Sequence, residues 1–103
     1  MCENCGKKLI GHVCELAHIL PKTLFKSVAT EDDNLIFLCC GFLSGSNCHD
    51  EYDSTWTKAK TMPVWKIAIA RFKLIEPKIT ETKYKKTLNH FYEFIERDSE
   101  TSE

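Results

Sequence analysis

Cys2 and Cys5 form a C-x2-C pair with Gly6 directly behind it, and this pair constrains the fold more than any other feature of the chain. A tight turn of that kind aims two thiolates at one point, which is half of the usual four-thiolate zinc site. The other half must come from Cys48 together with Cys39 or Cys40, across a spacer of eight or seven residues instead of two. The intervening GFLSGSN reads as an insertion that bulges out of the second knuckle while its ends stay close. Cys39 is preferred because it follows Leu38 at the end of an apolar run, and Cys40 is the alternate. Cys14, inside another apolar run, reads as a small core residue.

A length of 103 residues with 43% hydrophobic content suits one domain over 1–103, with a core that leaves a modest stability margin. A structural Zn2+ would widen that margin. No apolar run reaches the ~20 residues that cross a bilayer, and the first residues lack the plan of a signal peptide. No membrane partner and a cytoplasmic location are therefore expected. A reducing cytoplasm favours metal ligation over disulfides for the six cysteines. The net charge of −1 hides a division into −4 over residues 1–57, +7 over 58–86 and −4 over 87–103. The basic block suits contact with phosphates, and an ordinary solvated helix face accounts for it equally well.

The pattern of elements is that of an α+β fold. LIGHVCELAHIL predicts two short strands stopped at Pro21, and NLIFLCC predicts a further one. The spacing of His49, Tyr52, Asp53 and Trp56 predicts a short helix from Cys48. Pro63 suits the first turn of a helix that Pro77 ends, although its polar positions fit a strand almost as well. Tyr84, Leu88, Phe91, Tyr92 and Ile95 recur at the spacing of an amphipathic helix, and residues 98–103 are expected to be a disordered tail.

Three strings, AHILPK, DNLIFLC and CHDEYD, place His18 at the end of one strand, Asn34 at the opening of the next and His49 at a helix start behind Cys48. In this order, framed by cysteine pairs, they resemble the HNH endonucleases (His-Me fingers) over about residues 1–57. The resemblance implies a zinc-braced ββα-metal core over 1–57, followed by a basic helical extension over 58–97. It further implies that His18 is the general base and that Asn34 holds the loop orienting it. His49 would ligate one divalent cation, Mg2+ or another, which stabilises charge on the scissile phosphate. Asp53, one helical turn beyond His49, is placed to complete that shell. Many members carry another ligand directly before the base, where this chain has Ala17. Glu15, two residues earlier on the same strand face, is one substitute; phosphate oxygen and solvent are the other.

Two functions follow from these readings. The first is a metal-dependent DNA endonuclease of the phage or mobile-element kind, with Lys58, Lys60, Lys66, Arg71 and Lys73 holding the DNA backbone. A homodimer would supply the second site for cutting both strands. The alternative is a catalytically inactive, zinc-stabilised HNH-like binding module for nucleic acid or protein, which Ala17 supports. A thiol redox role for Cys39 and Cys40 has least support, because neither lies in a C-x-x-C at a helix start. His12 and His90 read as ordinary polar residues, and Asp50 and Glu51 as solvated acids at a helix N-terminus.

Overall fold

Alternation of apolar residues builds the sheet in the computed structural model, which describes residues 1–9, 11, 15–40 and 47–101, with side chains as far as Ile95. Strand β1 (Leu16–His18) and strand β2 (Leu35–Phe37) pair antiparallel, with Ala17 opposite Ile36. Both of these residues are fully buried, so a one-residue slip would turn Ile36 outward, and burial sets the register. The pairing continues past both strand ends: the Leu38 N–H donates to the Glu15 carbonyl and the Ile19 N–H to the Asn34 carbonyl, each at 2.8 Å. Between the strands the chain makes two single 3-10 turns, Lys26–Val28 and Asp32–Asn34.

Helix α1 (Cys48–Ser54) and helix α2 (Trp56–Thr61) occupy the stretch expected as one helix. The division falls at Thr55, which is extended and whose Oγ1 accepts the Lys58 N–H at 3.0 Å, ending one helix and capping the next. Asn47 caps α1 in the same way through the Asp50 N–H. Helix α3 (Trp65–Ile75) starts two residues after Pro63 and passes into a 3-10 turn, Glu76–Lys78, that contains Pro77. Helix α4 (Lys85–Thr101) runs into the segment expected to be disordered, since no glycine or proline interrupts it before Thr101. The first of the two expected N-terminal strands, with His12 and Cys14, lies outside the described residues, as does most of GFLSGSN. No helix among the described residues is long and apolar enough to cross a membrane.

An aromatic stack joins the helices. Phe91 of α4 lies between Trp65 and Phe72 of α3, with ring centroids 4.9 and 4.6 Å away, and Trp56 of α2 meets it edge-on at 5.4 Å. Trp65 and Phe72 are seven residues apart, so both rings project from one face of α3 and leave a slot for the third. Phe91 is completely buried there. Phe91→Ala is expected to destabilise the chain by about 3–5 kcal/mol, seen as a lower urea midpoint with an unchanged slope.

Candidate metal centre and adjoining cleft

Four cysteines from three separate segments come together. The ligand atoms of Cys2, Cys5, Cys39 and Cys48 all lie within 4.8 Å of one another, and Cys5 Sγ is 3.7 Å from Cys39 Sγ. A tetrahedral zinc with Zn–S bonds of ~2.3 Å requires sulfurs ~3.8 Å apart, so the cluster has the dimensions to hold a metal ion such as zinc. Cys40, the alternate ligand, is excluded because it is engaged in a disulfide, which also corrects the expectation that the cysteines are spared for metal ligation.

Local geometry explains how the first pair is presented. Gly6 has φ +81°, a left-handed backbone that glycine adopts without strain, and its N–H donates to the Cys2 carbonyl at 2.9 Å. The Cys2 N–H in turn donates to the Lys7 carbonyl at 2.7 Å, closing the turn. Asn4, between the two cysteines, donates from Nδ2 to Cys48 Sγ at 3.3 Å and accepts the Val64 N–H at 3.0 Å. The second pair is closed by the His49 N–H, which donates to the Cys39 carbonyl at 3.0 Å. Burial pushes the Cys48 thiol up to about 12, and the neighbouring thiols add to this against the opposing Asn4 donor. Burial opposes ionisation of Cys2 as well, but backbone N–H groups of Cys5, Cys39 and Asn4 outweigh it and bring that thiol below its usual value. The cluster therefore needs a cation to carry several thiolates at once, and uptake of the ion must release protons.

A cleft of about 660 Å3 opens beside this centre, lined by His18, His49, Asp53, Tyr52 and Trp56 among others. His18 Nε2 lies 3.2 Å from the Ala29 carbonyl. A carbonyl only accepts, so this bond places the proton on Nε2 and leaves Nδ1 as the basic nitrogen of the neutral ring. Asn34, completely buried, accepts the Leu20 N–H at 2.8 Å and donates to the Leu20 carbonyl at 3.3 Å. It thereby fixes the chain immediately after His18. Tyr52 of α1 donates its hydroxyl to the Ile19 carbonyl at 3.3 Å, tying the helix to the same segment. On α1 itself, His49 Nε2 is 3.0 Å from Asp53 Oδ2, one turn away.

Not every expected residue joins this group. Ala17 is completely buried opposite Ile36, so a ligand at that position would lie in the core. Glu15 is also buried and is not among the residues lining the cleft. Among the described residues, the cysteine quartet is the only group of three or more His, Cys, Asp and Glu gathered closely enough to hold an ion. A cation beside His49 would take two protein ligands, with the remainder from substrate or solvent. The residues expected to hold DNA are dispersed. Arg71 is committed to both carboxylate oxygens of Glu3 and to the Leu35 carbonyl. Lys60 Nζ lies 2.7 Å from His90 Nδ1, beneath which the ring stacks on Trp56. Lys58, Lys66 and Lys73 are exposed, and none of the five lines the cleft. Sequence reading missed Tyr52, Trp56 and the Lys22–Thr23 pair as cleft residues; the only signal for the last two was their place directly after AHILP.

No family model, curated protein or solved structure matches the chain.

Three outcomes are expected. The purified chain should carry one zinc per chain, released as pH falls and retained as pH rises, because protons compete with the ion for thiolate sulfur; a chromophoric chelator reads this directly. Cys48→Ser should lose the ion. Asn34→Ala should leave the Leu20 N–H and carbonyl unpaired in the interior, at about 1–3 kcal/mol for each group, measured by urea unfolding with zinc present.

Proposed function

We propose that the chain is an HNH-type, divalent-cation-assisted endonuclease that hydrolyses phosphodiester bonds of DNA. The observation that carries this reading is the convergence of His18, His49 and Asp53 on one cleft, with Asn34 pinning the segment after His18. In this reading His18 Nδ1 takes a proton from water as the water oxygen attacks phosphorus. The bond from phosphorus to the 3′ oxygen breaks, leaving a 5′-phosphate and a 3′-hydroxyl. His49 and Asp53 would hold a cation such as Mg2+, which supplies charge stabilisation at the phosphate. The cysteine quartet, holding Zn2+, would brace the start of the helix that carries both. Trp56 and the carbonyl-bonded Tyr52 line the same cleft.

A second reading is a zinc-stabilised binding module without catalysis. It is favoured by the two-residue cation shell and by the burial of Ala17, which leaves no third protein ligand next to His18.

Nicking of supercoiled plasmid by zinc-loaded protein, with Mg, Mn or Ni ions or with chelator, separates the two. The endonuclease reading expects cation-dependent relaxation that falls about 100- to 10,000-fold in His18→Ala while zinc content and folding are unchanged. Folded wild-type protein that relaxes no plasmid with any of these ions would overturn the endonuclease reading and favour the binding module.

A further inference from the structure

We propose that Lys22, with the Thr23 hydroxyl beside it, grips the substrate phosphate at the cleft, in place of the basic residues of α2 and α3. This assignment rests on the phosphodiesterase reading above. Among the described residues, Lys22 is the one Lys or Arg that lines the cleft with His18, His49 and Asp53. Its side chain is exposed and has no hydrogen-bond or ion-pair partner among the described residues, and the same holds for the Thr23 hydroxyl.

Several other polar groups of the cleft wall have partners within the protein. Tyr52 donates to the Ile19 carbonyl, Ser54 Oγ donates to the Glu51 carbonyl, and Thr55 Oγ1 accepts the Lys58 N–H. His49 and Asp53 face each other. Lys22 is the basic side chain of this wall, and it sits with Thr23 on a held turn. The Pro21 carbonyl accepts the Leu24 and Phe25 N–H groups at 3.1 and 3.0 Å, and Asn34 fixes Leu20 just before it.

Charge balance gives the pair its role. A divalent cation offset by the Asp53 carboxylate leaves about one positive charge, enough for a resting phosphodiester. Water attack, with its proton passing to His18, adds a further negative charge to the phosphate oxygens, and a second positive charge at the cleft stabilises that added charge. Lys22 acts as the point charge and Thr23 as a neutral donor to a phosphate oxygen.

The test uses the zinc-loaded chain as wild type, Lys22→Gln, Lys22→Arg and the double variant Lys66→Gln/Lys73→Gln. Each is assayed for plasmid nicking and for binding of a fluorescein-labelled DNA oligonucleotide by anisotropy over a salt series. The proposal expects Lys22→Gln to lower kcat/KM at least about tenfold and to reduce the log–log salt slope of binding by about one. Lys22→Arg should recover most of both, whereas the double variant should cut within about twofold of wild type. The Lys22 assignment is overturned if Lys22→Gln cuts and binds with the wild-type rate and salt slope while wild type is active, which leaves the endonuclease reading standing. A wild type that neither binds nor cuts removes that reading, and the Lys22 assignment falls with it.

Discussion

The four-sulfur cluster is the constraint on which the other contacts of the N-terminal half depend. It ties the turn at Cys2 and Cys5, the chain just past β2 at Cys39 and the first residue of α1 at Cys48 to one point. Each tie carries a further bond outward. Glu3, inside the turn, exchanges backbone and side-chain bonds with Phe37 and holds Arg71 of α3; Asn4 reaches the Val64 N–H ahead of the same helix. Three segments that each pack little surface are thus fixed together, which matters in a chain whose strands are three residues long. Ion binding and folding are expected to be one event, because the sulfurs meet only when all three segments are in place.

The cleft inherits its shape from that centre. His49 follows Cys48 directly and its N–H is bonded to the Cys39 carbonyl, so α1 can leave the cluster in one direction only. The opposite wall is fixed without metal, by Asn34 and Tyr52 acting on residues 19 and 20. The sulfur cluster on one side and a buried amide on the other hold His18 and His49 against the same space. Arg71, by contrast, is part of the scaffold. Its pairing with Glu3 keeps the Glu3 carboxyl below the usual carboxylate range, working against the burial that would raise it.

Much of this was legible in the chain because it depends on local chemistry. The C-x2-C-G turn, the alternating LIF of β2 and the 3.6-residue period of α4 each follow from short-range sterics and periodicity. The break at Thr55 was harder to read, since a threonine within a helical pattern becomes a cap only when its Oγ1 meets a free N–H. The arrangement of the basic block was not readable for a different reason. Charge along the sequence says nothing about direction, and Arg71 and Lys60 turn toward Glu3 and His90.

Cysteine spacing, proline positions and apolar period are properties of neighbouring residues, so the α+β element order and the first half of the sulfur cluster could be derived from the string of letters alone. The place of Cys39 after Leu38 favours it over its neighbour, but the engagement of Cys40 in a disulfide, the lining of one cleft by His18 and His49 and the isolation of Glu15 from them were decided by the tertiary structure. Each of these depends on which face of a short strand is buried and on contacts between residues distant in sequence, and the free energy of such contacts exists only once the chain has closed on itself.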